Sequence, residues 1–186
     1  PTKWDWVKNT GYKKPAVRPM QTLDGEMAGG NRPPKPSSGD YVLPVGRQII
    51  DPTRTSFSQA TVSYQKRGAN YNYDSLVAAM NEKKSWVGDR VDVVNMPDGA
   101  PTSMDNTRIM AAREAGVKVE ANVHNFNDRL SSKERIRFKH DGIEPQTWGE
   151  AIQLRIRKQE TQKGVPEGWS KRFPNGSIYD VKVLRK

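Results

Sequence analysis

Residues 105–108 hold the side chains in this 186-residue chain whose types and spacing best fit chemistry on a phosphate. Aspartate is a preferred N-cap, so Asp105 predicts the start of an alanine-rich helix over Asn106–Ala115. Free backbone N–H groups at Asn106 and Thr107, with the positive end of the helix dipole, would attract an anion. Arg108 could grip a phosphate with two N–H groups, and Asp105 could bind a divalent ion such as Mg²⁺ or orient water. The alternative is an N-cap aspartate that merely pairs with an arginine three residues later.

Two further side chains could contribute proton transfer or metal binding. His124 ends a predicted strand on the side opposite its apolar residues, where a histidine can act as general acid or base or simply face solvent. Glu150 is first a predicted helix-capping residue, but it could share a divalent ion with Asp105 if its helix start faces that loop. His140 beside Asp141 fits a favourable contact at a helix end better than a functional role. The sequence leaves open whether His124 and Glu150 lie near Asp105.

Positive charge is concentrated in the last third of the chain. The net charge is +10, and residues 129–186 hold 14 basic and 7 acidic side chains, whereas residues 51–128 hold 9 and 10. A basic face of this size favours nucleic acid or nucleotides, although a docking face for an acidic protein is an alternative. Trp169 is predicted to stack on a base. The predicted contacts to backbone phosphates are Arg155, Arg157, Lys158, Lys171 and Arg172.

Several classes of protein are disfavoured by composition. The chain has no cysteine, which excludes disulfides and thiol catalysis and removes the commonest zinc ligands. No apolar run approaches the length of a membrane span, so no membrane partner is expected. No P-loop, HExxH or GxSxG pattern occurs.

The order of predicted elements indicates a single α+β domain behind an extended segment. Residues 1–50 form a Pro/Gly-rich leader that is not an independent domain, with a weak strand at 42–50. Residues 51–186 form the domain, with a core at about 56–126 and a basic helical extension at 127–186. Strands are predicted at 56–64, 91–94, 102–104, 117–123 and 179–183, the second and third joined by a turn at 97–99. Helices are predicted at 73–84, over Asn106–Ala115, and from capping boxes at Ser131 and Thr147 to about Lys139 and Gln162.

The middle of the chain resembles the ParB-like, sulfiredoxin-like family. A strand bearing Gln59 precedes YDSLVAAMNEKKSW, and VDVVNMPDG, TSMDNTR, AAREAG and VKVEANV follow, so the likeness covers about residues 56–126. It implies a small mixed sheet with packed helices and a phosphate loop of the form G-x-x-R. This chain departs from that pattern, because Asp105 stands where the family usually has glycine.

The amino-acid sequences of these motifs are most similar to those of the ParB-like domains at the C-terminal ends of bacterial polymorphic toxins, such as Rhs and contact-dependent inhibition proteins. That resemblance implies an antibacterial effector that is secreted on a larger carrier protein and delivered into the cytoplasm of a target bacterial cell. It also implies an immunity protein in the producing cell, which we expect to be acidic. We expect phosphodiester hydrolysis of nucleic acid with a divalent metal. The alternatives are a toxin that hydrolyses or consumes nucleotides and a non-catalytic DNA- or nucleotide-binding module.

Overall fold

The fold is known from a computed structural model, which describes residues 41–185. Most of the predicted leader lies outside the described residues. Within these residues, seven strands run over Gly46–Ile50 (β1), Ser56–Phe57 (β2), Thr61–Ser63 (β3), Val91–Asn95 (β4), Pro101–Ser103 (β5), Val119–Asn125 (β6) and Lys182–Leu184 (β7). The same part of the chain holds five α-helices, over Tyr73–Lys83 (α1), Asn106–Ala115 (α2), Ser132–Arg137 (α3), Trp148–Lys158 (α4) and Trp169–Arg172 (α5), with 3-10 turns at Pro52–Arg54 and Gln159–Thr161. The predicted α+β class is confirmed.

The main sheet is mixed and has five strands in the order β1-β6-β4-β5-β2. Strand β6 is antiparallel to β1 and parallel to β4, while β5 is antiparallel to β4 and parallel to β2. Strands β3 and β7 form a separate parallel pair. Because β1 pairs with β6 along its whole length, the folded body begins before residue 51, inside the segment that the sequence assigned to the leader.

The predicted hairpin and the helix behind it are confirmed. Strands β4 and β5 pair across a turn in which Gly99 has φ 84°, a conformation that glycine adopts without steric cost. Asp105 caps α2 by accepting a hydrogen bond from the backbone N–H of Arg108 at 3.2 Å. Gly116 ends the helix with φ 73°. These local signals place the start of α2 directly behind the end of β5.

Helices cover both faces of the sheet. Alternate residues of β4 and β6, such as Val93 and Val123, pack with α1 and α2, and Ile109 is at the centre of that core. Val94, which follows Val93, faces the other way and packs with α4 through Ile152. No helix within residues 41–185 is both long and apolar enough to cross a membrane.

The predicted strand at 56–64 is wrong as a single element. It divides into β2, which joins the main sheet, and β3, which pairs with β7. The chain leaves the first ladder at Ser58, because its N–H donates to the Asn106 side chain at 2.7 Å and its hydroxyl donates to the Ser103 carbonyl at 2.7 Å. The break places Gln59 in a loop between the two sheets.

Both C-terminal helices are shorter than predicted. Both sides of the capping box between Ser131 and Glu134 are present, but α3 ends at Arg137. Helix α4 ends at Lys158 and continues as the 3-10 turn that contains Gln159. This turn matters for the site, because it brings Gln159 back against β3.

A buried arginine fastens the C-terminal segment to the core. Arg113 on α2 is 1% exposed and lies over the Phe57 ring. Its guanidinium donates to the carbonyls of Pro52 and Thr55 at 2.7 and 2.8 Å and to the Asp180 carboxylate at 2.8 Å. The segment before β7 is therefore held by an ion pair whose charges are largely out of water.

Candidate phosphate-binding cleft

An open cleft of about 570 Å³ lies at the start of α2, between the two sheets and α4. Its lining residues come from the loop after β2, from β3 and the loop after it, and from the ends of α3 and α4. The residues that matter chemically are Gln59, Lys66, Arg67, Asp105, Asn106, Thr107, Arg137, Arg155, Gln159 and Lys163.

The cleft is strongly basic. Five cationic side chains line it against a single carboxylate, that of Asp105. None of the five forms an ion pair within residues 41–185, whereas Asp105 is paired with Arg108. The positive potential of the cleft is therefore uncompensated by the described part of the protein, which suits a polyanion.

Arg108, the predicted phosphate ligand, does not line the cleft. Its Nε donates to Asp105 Oδ2 at 2.7 Å, its Nη1 donates to the Asp89 carbonyl, and its guanidinium carbon lies 4.9 Å from the centre of the Trp86 ring. The carboxylate of the N-cap and an aromatic ring draw the side chain away from the helix mouth. In this structure Arg108 anchors the loop before β4 to the start of α2.

Asn106 and Thr107 do lie at the cleft as predicted, but Asn106 is part of the framework. It is 2% exposed, and its Oδ1 accepts the backbone N–H of Ser58 at 2.7 Å. Because a backbone N–H can only donate, Asn106 Nδ2 must face the other way, where it donates to Gln59 Oε1 at 2.9 Å. Gln59 therefore keeps its Nε2 group, a donor, for the cleft.

Gln159 repeats this arrangement on the opposite wall. Its Oε1 accepts the backbone N–H of Ala60 at 3.2 Å, and the residue is 2% exposed. Its Nε2 has no hydrogen-bond partner within the described residues. Two glutamines, one held by Asn106 and the other by the backbone of Ala60, thus offer N–H donors of fixed polarity to an acceptor in the cleft.

Arg155 is the predicted nucleic-acid contact that lies in the cleft wall. It is a half-buried residue of α4 and makes no hydrogen bond or ion pair within residues 41–185. Partial burial lowers the pKa of its guanidinium, the Asp105 carboxylate raises it, and Arg137 lowers it further. Arginine stays charged at neutral pH even so. A guanidinium at the cleft with no hydrogen-bonding partner in the described protein has its donors available for a ligand anion.

The remaining residues that were predicted to contact nucleic acid lie outside the cleft. Trp169 is wrong as a stacking surface, because it is 4% exposed and its ring packs against Phe173, 5.6 Å away between centroids. Lys158 lies beside a recess that adjoins the cleft, but Arg157, Lys171 and Arg172 do not line the cleft. Trp169 was misjudged because nothing local to its loop signals burial.

His124 belongs to a separate cluster. Its Nε2 lies 2.9 Å from Asp92 Oδ1, and its ring is stacked on Trp148 with the centroids 3.8 Å apart and 10° between the planes. The ring is therefore fixed in position and orientation. Trp148 and Arg155 are on the same helix seven residues apart, so His124 is about 10 Å from the cleft along α4.

Asp105 and Glu150 do not form the predicted metal site in this geometry. Both oxygens of Asp105 accept from Arg108, while Glu150 accepts the Gln146 N–H at 2.7 Å and does not line the cleft. Within residues 41–185 no three His, Asp or Glu side chains lie close enough together to hold an ion. Dependence of the activity on a divalent metal such as magnesium stays a prediction.

Sequence reasoning missed Gln159 and four cations of the cleft. Lys66 and Arg67 stand beside Gly68 in a polar loop, a weak signal of a phosphate contact. Arg137 and Lys163 resemble any other surface cation in the sequence. Gln59 was noticed through the family resemblance, although its role as an oriented donor depends on Asn106, 47 residues away.

Comparisons with models of protein families, with curated proteins and with solved structures find no match to this chain. The resemblance to ParB-like toxin domains therefore rests on the sequence motifs alone.

Proposed function

We propose that this protein is an antibacterial effector of the ParB-like class that binds nucleic acid through the basic cleft and hydrolyses its phosphodiester bonds. The observation that carries the proposal is Arg155, a half-buried cation in the cleft wall without a hydrogen-bonding or ion-pair partner in the described protein. Phosphate is the anion that best matches a guanidinium flanked by amide donors and further cations.

The cleft can stabilise charge on a phosphate without rearrangement. Gln59 is held by Asn106, and Gln159 is held by the backbone of Ala60, so both donors are oriented before a ligand arrives. Fixed donors and cations bind a phosphate of the strand with little reorganisation. We therefore take the cleft as the subsite that holds the strand, and the bond that is cleaved lies within reach of His124.

We assign proton transfer to His124, with Asp92 as the residue that positions it. A hydrogen bond from Nε2 to Asp92 leaves Nδ1 as the basic nitrogen of the neutral ring. The separation of about 10 Å along α4 can be bridged by a polymer, because a strand held at one phosphate extends beyond it on both sides. A strand held at Arg155 thus extends to His124 within a few nucleotides.

A nucleotide-hydrolysing toxin is the second candidate. The cleft volume of about 570 Å³ falls within the ordinary range of small-ligand sites, roughly 300–1,000 Å³. The non-catalytic binding module is favoured by the separation of His124 from the cleft.

The effector context also belongs to the proposal. Delivery on a carrier into a rival cell requires protection of the producing cell, and an acidic immunity protein would complement the uncompensated cations of the cleft. Such a partner should compete with nucleic acid for the cleft. Tight binding by a basic partner would contradict the proposed acidic immunity protein. An immunity protein that binds without changing the affinity for nucleic acid would contradict its placement at the cleft.

One assay separates the three functions. The full chain is incubated with plasmid DNA, total RNA and labelled nucleotides, in magnesium and in chelator, beside the Arg155→Gln and Arg47→Gln variants. Arg47 is an exposed cation on β1, at the far edge of the sheet, and controls for loss of charge. We expect nucleic acid to be cut by the unaltered protein and by Arg47→Gln, but not by Arg155→Gln. Consumption of nucleotides with intact nucleic acid favours the second candidate, and binding without turnover favours the third.

A further inference from the structure

A smaller recess of about 130 Å³ opens beside the cleft and shares a wall with it. Gln59, Met104, Arg137 and Arg155 line both spaces. A space this size is far larger than the roughly 10–15 Å³ that a single water needs, so it admits an organic group. A ligand phosphate bound at Arg155 would place its neighbouring atoms at the mouth of the recess.

The recess combines an apolar patch with polar and basic side chains. Buried Met104, Ala151 and Leu154 and half-buried Phe138 form the apolar patch, and Lys139, His140 and Lys158 also line the recess. The Phe138 ring is tilted against Trp148 with centroids 5.7 Å apart, and the Arg137 guanidinium lies 5.2 Å from its centre. An aromatic ring and a guanidinium are the two surfaces on which proteins stack unpaired bases.

We infer that the recess accepts an unpaired base of a single-stranded nucleic acid whose phosphates lie in the basic cleft. The inference rests on the proposed function, because it takes the cleft as the phosphate site. Bases in a duplex are stacked in its interior, so only an unstacked base can enter a concave recess beside the backbone. The donors shared at the wall, Gln59 Nε2 and Arg155, lie where base edge and phosphate meet.

Fluorescence anisotropy with the full chain tests this directly. The probes are a labelled single-stranded oligonucleotide, the same strand in a duplex, an abasic strand of equal length, and a mononucleotide as competitor. Phe138→Ala removes the ring, and Phe138→Tyr keeps it as the matched control. Thermal unfolding of each variant confirms that it is folded, and Ile136→Ala, an exposed residue on α3, controls for truncation of a nearby side chain.

We expect the single strand to bind on the order of tenfold more tightly than the duplex or the abasic strand. Phe138→Ala should abolish that preference, whereas Phe138→Tyr and Ile136→Ala should retain it. The inference would be overturned if the protein bound the single strand, the duplex and the abasic strand with equal affinity. It would also be overturned if folded Phe138→Ala kept the preference for the single strand. Neither result would contradict the assignment of the cleft as the phosphate site. If the mononucleotide competed with an affinity equal to that of the oligonucleotide, the inference that the ligand is a nucleic-acid strand would be overturned. Absence of binding to every probe would overturn the proposed function as well.

Discussion

Both oxygens of the Asp105 carboxylate accept a hydrogen bond from Arg108. Oδ1 accepts the backbone N–H of Arg108 at 3.2 Å, and Oδ2 accepts its Nε at 2.7 Å. The side chains are only 21% and 16% exposed, so the pair is shielded from solvent. A motif that looks like a phosphate loop in sequence is here a helix cap that braces the loop at Asp89 and Trp86.

Arg108 should accordingly contribute to stability rather than to phosphate binding. We expect Arg108→Ala to lower the free energy of unfolding by about 1–3 kcal/mol, because charge-assisted hydrogen bonds are lost and the Asp105 carboxylate keeps one donor fewer. Asp105→Asn should be milder, since asparagine is an equally good N-cap. Chemical denaturation measures stability, and oligonucleotide affinity is measured on the folded fraction. If Arg108→Ala had normal stability but no longer bound the oligonucleotide, Arg108 would have to be a phosphate ligand after all.

The polarity of Gln59 gives a second prediction. Gln59→Glu preserves shape and the acceptor for Asn106, but it replaces the free N–H donor with a negative oxygen facing a bound anion. We expect affinity for an oligonucleotide to fall about tenfold or more. Gln48→Glu on β1 adds the same charge at the far edge of the sheet and should have little effect. An equal loss in both variants would attribute the effect to net charge alone.

The Arg113 clamp predicts a large stability difference between two arginines. Arg113→Met removes one member of a buried ion pair and leaves Asp180 and several carbonyls without their donor, so we expect a loss of about 3–5 kcal/mol. Arg185→Met breaks an ion pair with Asp74 in which both side chains are 58% exposed, and should hardly move the denaturant midpoint. Similar denaturant midpoints for the two variants would contradict the conclusion that Arg113 fastens the C-terminal segment to the core.

The sequence predicted the features that depend on a few adjacent residues and did not predict those that depend on contacts between distant residues. The turn at Gly99, the cap at Asp105 and the stop at Gly116 were all predicted, because each depends on the backbone preferences of a few adjacent residues. The break between β2 and β3 depends on the bond from Ser58 to Asn106, 48 residues away, and no pattern within the strand reveals it.

The candidate site was predictable only in part for the same reason. Arg155 was found because it stands on the polar side of an amphipathic helix in a basic region. Its shielding and its proximity to Gln59 and Gln159 arise only when α4 packs across the sheet. Trp169 was misplaced because the sequence predicts a loop at 164–176, whereas the residue begins the short helix α5 and its burial depends on the whole fold.

His124 supplies a prediction about catalysis that is separable from binding. His124→Gln should abolish cleavage while oligonucleotide affinity stays near that of the unaltered protein, because His124 does not line the cleft. Loss of the stack on Trp148 should lower the free energy of unfolding by about 1 kcal/mol, which leaves the protein folded. Asp92→Asn keeps a side chain of the same shape but no longer fixes the ring tautomer, so it should lower turnover and change the shape of the pH–rate profile. Full cleavage by folded His124→Gln would remove the ring from the mechanism.

The salt dependence of oligonucleotide binding by Arg155→Gln, compared with Arg47→Gln, tests the phosphate cleft most directly. Each phosphate contact contributes about 0.7 to the slope of log affinity against log salt for a single strand. We predict that Arg155→Gln weakens binding about tenfold and flattens the slope by about that amount, while Arg47→Gln reproduces the unaltered protein. Unchanged affinity and slope in a folded Arg155→Gln protein would contradict the assignment of this cleft as the phosphate site.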